Sequence, residues 1–173
     1  MTDVYSGELI LASHVQDHES RIDVLEALGI AVPRTVYKPD DETINNSSTL
    51  QNDDDLVIPL VANAVYTLRL VAGYIANATA GFKCAFTAPA GTTFEIGHYL
   101  AKVGGTTNYD NTNALLAVSG FSGTGGQIAL MLEATVFVSS TAGNAQWTWA
   151  QNTAHASDCT VLKGSHIQTV RIA

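Results

Sequence analysis

The sequence predicts a mainly β protein: an antiparallel β-sandwich of jelly-roll type, preceded by a short coiled-coil-type helix and an extended linker. Three observations predict it. From Leu56 onward apolar residues recur with period two, the spacing that sets alternate side chains on one face of a strand. Turn signals rich in Gly, Pro and Asn punctuate that alternation, as they do between the short strands of a sandwich. Charged residues make up only 14% of the chain against 46% hydrophobic, well under the ~25% charged residues of ordinary soluble domains. Thr, Ser, Asn, Gly and Ala must therefore cover much of the surface, as in many β-rich assemblies.

The 173 residues suffice for one medium domain plus an appendage. They divide into an arm and helix (1–29), a linker (30–55) and a β domain (56–173). Ser13 to Leu28 reads as the helix. Ser13 and Gln16 form a capping box, Gly29 supplies the C-terminal cap, and Pro33 blocks continuation. Leu11, Val15, His18, Ile22 and Leu25 repeat at 4-3-4-3, the seam of a coiled coil. So short a helix is marginal alone in water. Its stripe is expected to close an oligomer, pack on the β domain or dock on a partner.

Residues 30–55 read as linker because Pro33 and Pro39 favour extended chain. The stretch DDETINNSSTLQNDDD is acidic and aperiodic, with too little apolar area to fold alone. Beyond it, strands are expected around Tyr66–Leu70, Lys83–Phe86, Thr93–Ile96, Gln127–Val138, Ala145–Ala150, Asp158–Leu162 and Ile167–Ile172. Turns fall at Ala72-Gly73, Pro89-Ala90-Gly91, Gly104-Gly105, Gly123 to Gly126, Ala142 to Asn144 and Lys163-Gly164. About eight strands of this kind fit a sandwich. The longest, Gln127–Val138, carries Met131 and Phe137 on its second face, where a water-facing strand would be polar. That face is expected to meet a second subunit, and a symmetric trimer is the favoured state.

The net charge of −8 is uneven. Residues 1–60 hold twelve acids against Arg21, Arg34 and Lys38, and the remainder is close to neutral. Neither part has the basic stripe that phosphate neutralisation requires, so nucleic acid is not an expected partner. There is no apolar run of membrane-spanning length and no signal-peptide pattern, so no membrane contact is expected and the chain is expected to be made in a cytosol. Cys84 and Cys159 lie in strand-like segments outside any CxxC pair. Two buried thiols are favoured over a disulfide.

The chemistry-bearing residues do not assemble into a known catalytic pattern. His14 and His18 are four apart on the helix but have no third ligand nearby. A polar seam position that sets register is favoured over an axial metal or a pH-sensitive layer. Asp53, Asp54 and Asp55 fit no calcium loop and read as a solvated turn. His155, Ser157 and Asp158 are sequence neighbours, which does not make a triad. Gly123-Thr124-Gly125-Gly126 precedes a strand and reads as a hairpin turn, not a phosphate loop. No enzyme activity, cofactor or metal is expected. Tyr74, Tyr99, Tyr109 and Phe121, read as lying in or near loops, are candidates to stack on sugars or anchor a protein.

Several segments resemble structural proteins of tailed phages, particularly those infecting actinobacteria. They are ILASHVQDHESRIDVLEALG at the head, VYKPDDETINNSSTLQNDDDLVIPLVANAVYTLRL at the entry to the β domain, FTAPAGTTF, and WTWAQNTAHASDCTVLKGSHIQTVRI. Such proteins serve as minor tail, head-fibre or capsid decoration components. The resemblance implies an oligomeric virion component without catalysis; the chain is expected on the outer surface of the particle, bound to the major capsid protein or another virion protein. It carries over no individual functional residue, and the chain lacks the repeats of a long fibre shaft. The resulting expectation is a homotrimeric decoration protein. A minor tail or baseplate protein and a host-glycan-binding module are the alternatives.

Overall fold

The computed structural model describes residues 20–21, 24–25, 31–103, 106–110 and 119–173, with backbone alone for 96–103, 106–110 and 119. The described chain is mainly β, in two antiparallel sheets. The first runs β1 (Pro33–Tyr37), β12 (His166–Arg171), β4 (Val65–Ile75), β9 (Gln127–Phe137), β6 (Thr93–Val103) and β7 (Thr106–Asp110). A short β11 (Cys159–Val161) pairs with β4 and with β2 (Glu42–Ile44) beside this path. The second sheet runs β3 (Gln51–Leu60), β10 (Gly143–Gln151), β5 (Phe82–Thr87) and β8 (Ser119–Phe121).

Alternation along β4 and β9 builds half of the core. Tyr66, Leu68, Leu70, Ala72 and Tyr74 are buried from β4, and Ile128, Leu130, Leu132, Ala134 and Val136 from β9. The two strands pair over their full lengths, Val65 to Ile75 against Phe137 to Gln127. The second sheet answers with Phe82, Cys84 and Phe86 from β5 and Trp147 and Trp149 from β10. Phe82 sits at the centre of this aromatic packing. Its ring stacks on Tyr74 at 4.3 Å and lies about 6 Å from both tryptophans, separations at which aromatic pairs add attraction beyond area burial.

The linker expectation is corrected. Residues 33–55 supply β1, β2 and the first half of β3, so the acidic stretch is built into both sheets. The turn expected at Ala72-Gly73 is also corrected: both residues lie inside β4, Gly73 opposite Ala129. A Cβ at Gly73 would stand 3.2 Å from Leu162 Cδ1, and its N–H donates to Ser165 Oγ. The glycine makes room for the β11–β12 connection and does not end the strand. The Gly123–Gly126 run joins β8 in one sheet to β9 in the other, so it is a crossover and not a hairpin. The expected helix falls outside the described residues except for Ser20, Arg21, Val24 and Leu25, which have helical backbone.

Candidate contact surfaces and the buried charge cluster

Lys38 follows β1 and is clamped by its backbone. Its N–H donates to Ser165 O, and its carbonyl accepts from Gly164 N. The side chain turns inward and is 1% exposed. Its Nζ donates to Asp53 Oδ1 and Asp55 Oδ2, each at 3.1 Å, and to Glu42 Oε2. Burial pulls the ammonium down, but the three carboxylates outweigh it and hold Lys38 well above its ordinary value. The place a cation would take between these acids is filled by Nζ. Among the described residues no group of His, Cys, Asp or Glu is set to hold a metal ion.

Asp53 is needed because the β3–β10 ladder breaks. Gln146 pairs with Val57 but Thr148 pairs with Asn52, so β3 carries extra residues in a bulge. Asp53 Oδ1 accepts from the backbone N–H groups of Asp55 and Leu56, and Oδ2 accepts from Trp149 Nε1 at 3.1 Å. Gln146 Nε2 donates to the carbonyl of Asp53 at 2.7 Å. The bulged backbone is thereby satisfied by side chains. The solvated-turn reading of Asp53 to Asp55 is corrected: Asp53 is a buried hub joining the edge of one sheet to the edge of the other.

The outer face of the first sheet presents a row of directly paired side chains from β4 and β9. Across it, Val65 stands opposite Phe137, Thr67 opposite Thr135, Arg69 opposite Glu133 and Val71 opposite Met131. Phe137 is 43% exposed and Met131 is half-buried. Arg69 and Glu133 form a partly exposed ion pair at 3.3 Å, and Arg69 Nη2 reaches Met131 Sδ at 3.5 Å. A shallow hollow of about 450 Å³ lies over Thr67, Arg69, Glu133, Thr135, Gln168 and Val170. On β1, the end strand of this sheet among the described residues, Tyr37 is 65% exposed.

The seam residues Leu11, Val15, His18 and Ile22 lie outside the described residues. Leu25 is described and 38% exposed. Tyr74 is a correction: it is fully buried, and its hydroxyl donates to Ser122 O at 2.9 Å. Burial and the neighbouring thiols push that hydroxyl upward. Tyr99 and Tyr109 belong to the paired strands β6 and β7 and not to loops. Phe121 lies in β8 and packs partly on the core, 6.4 Å from Phe82. His155 Nδ1 accepts from Ser157 N while Asp158 accepts from Asn45, so these neighbours form no triad. Cys84 and Cys159 are free and buried, and burial pushes each thiol up to about 12. No described helix is long and apolar enough to cross a membrane.

Lys38, Gln146 and Gln151 went unmarked by the sequence pattern. Gln151 is fully buried. Its amide donates to the carbonyls of His155 and Ser157 and accepts from the N–H groups of Ser47 and His155. It ties two loops together at one end of the sheets. No family model matches this sequence, and neither does any curated protein.

Proposed function

We propose that this chain is a structural protein of a tailed-phage particle: a homotrimeric, non-catalytic decoration protein with a jelly-roll fold, binding the outer capsid surface and stabilising it. The jelly-roll reading is supported by nested pairing. Taking β1, β3, β4, β5, β8, β9, β10 and β12 as the eight strands, first pairs with last, second with seventh, third with sixth and fourth with fifth. Such nesting is what a long hairpin rolled into two sheets produces, and β6–β7 widens one of them. Jelly rolls recur in viral capsid and lectin domains, and a fold alone does not carry function.

The observation that carries the assembly reading is the outer face of β4 and β9. Val65, Val71, Ile75, Ala129, Met131 and Phe137 point outward there, and its one described ion pair is internally neutral. A sheet face kept in water is normally polar, and apolar side chains grouped on one face mark a contact site. The edge strands of the second sheet add to this. β3 carries the exposed Asp54 and Pro59, and β8 is only three residues long, features that discourage open-ended edge pairing. Contact through the faces therefore favours a closed assembly over a fibre. The phage-like segments cover β2, β3, β11 and β12 whole and parts of β1, β4 and β10.

The partners on this reading are two further copies of the chain and the capsid lattice, where many weak contacts act together. Light scattering on the purified protein should return three times the 18.2 kDa of one chain. Phe137→Asp and Ile22→Asp should each abolish trimerisation or particle binding. A wild-type monomer, or variants that decorate particles normally as trimers, would overturn the reading. High copy number per particle would place the protein on the capsid, and a handful of copies would move it to the tail.

A further inference from the structure

Lys38 and Asp53 meet between the two sheets, the first just after β1 and the second in the bulge of β3. We propose that these two side chains condense to an amide, with loss of one water, and that Glu42 relays the protons. The structure shows the pair before reaction, with Nζ 3.1 Å from Asp53 Oδ1. Among the described residues β1 ends one sheet and β3 ends the other, so the bond would tie the two sheets together along one side. The inference does not depend on what the chain assembles with.

Three observations carry it. The first is fixed geometry. Lys38 is held by backbone bonds to Ser165 and Gly164. Asp53 is held by the N–H groups of Asp55 and Leu56 on Oδ1 and by Trp149 Nε1 on Oδ2. Groups fixed in contact react as though at an effective concentration on the order of 10⁵–10⁸ M. The second is dryness. Both reacting side chains are fully buried, so water does not compete for the carboxyl or return easily to hydrolyse the product. Burial also favours the product itself: separate charges are costly to keep out of water, and an amide is neutral. The third is Glu42, whose Oε2 accepts from Nζ and whose Oε1 is fixed by Gln51 Nε2 at 2.6 Å. Asp55 also accepts from Nζ at 3.1 Å, but it is partly exposed. It steadies the lysine, and the dry Asp53 is the acyl partner.

Glu42 takes a proton from the ammonium and passes it to the Asp53 carboxylate, which leaves a neutral amine beside a neutral acid. The Nζ lone pair attacks Cγ of Asp53. Oδ1, held by two backbone N–H groups, carries the negative charge that develops. Glu42 then takes a second proton from Nζ and gives it to the departing hydroxyl. The C–N bond has formed, one C–O bond has broken, and the lost oxygen leaves with both protons as water. One hydrogen stays on the amide nitrogen, and Glu42 ends as the carboxylate it was. No metal, oxidant or activating group is consumed. Three carboxylates keep Lys38 an ammonium at rest, so the amine is rare and the reaction slow. It needs to occur only once in each molecule, because the buried amide is shielded from hydrolysis.

The test is the intact mass of the full chain, denatured after incubation in its folded state. The mass should lie one water below that of the sequence. Cleavage after Glu42 by a glutamate-specific protease should then leave the segment with Lys38 joined to the segment with Asp53. Fragmentation should place the link at those two residues. Lys38→Arg should restore the full mass, which separates the amide from a cyclic imide at an aspartate, a loss of water that needs no lysine. Glu42→Gln keeps the size of the side chain but cannot relay a proton, and should be purified mostly at full mass, since losing such a relay slows a reaction about 100-fold or more. A wild-type chain at its full mass would overturn the proposal without recourse to any variant. So would a loss of water that persists in Lys38→Arg, or a link at another carboxylate. Complete bond formation in Glu42→Gln would overturn the role given to Glu42.

Discussion

Replacing Lys38 by Met tests whether the buried charge cluster holds the two sheets together. Methionine keeps most of the apolar stem but leaves Glu42, Asp53 and Asp55 facing one another with no cation. Asp53 is fully buried, while Glu42 and Asp55 keep 15% and 32% of their side-chain exposure. Removing one partner of a buried ion pair costs about 3–5 kcal/mol, and the two partly exposed acids place the expectation near ~3 kcal/mol. For a chain of this size ~1 kcal/mol moves Tm by about 2–4 °C, so the variant should melt ~6–12 °C lower at pH 7. Tryptophan fluorescence reads the transition directly, because Trp149 donates to Asp53. A double substitution is the sharper check. Adding Asp53→Asn to Lys38→Met should recover part of the loss, since the two changes act on one interaction. A deficit under ~1 kcal/mol, or one that Asp53→Asn only adds to, would refute the claim that Lys38 neutralises a buried acidic site.

The thiols give an alkaline signature. Burial favours neutral Cys84 in the fold up to about 12, so above the unfolded thiol's ordinary 9 each pH unit should remove about 1.4 kcal/mol for that residue; flat stability between pH 9 and 11 would contradict it. Lys38, raised rather than lowered, contributes fully below its ordinary value and loses its contribution only above it. Neither thiol should react with an aromatic disulfide reagent until the protein unfolds, and rapid labelling of the native protein would show that the burial is wrong. At Gly73, Val should cost about 1–3 kcal/mol through overpacking against Leu162; an unchanged urea midpoint would place that connection elsewhere.

Period-two alternation located β4, β5, β9, β10, β11 and β12 because their buried faces are apolar. It failed at β1 to β3 for an identifiable reason. There the buried side chains include Lys38 and Asp53, which hydropathy reads as surface, and the bulge between Asn52 and Val57 breaks the period itself. Charges that neutralise one another across two sheets leave no pattern along either strand. Gly73 misled in the opposite direction: taken as a breaker, it split β4 and placed Tyr74 on a loop.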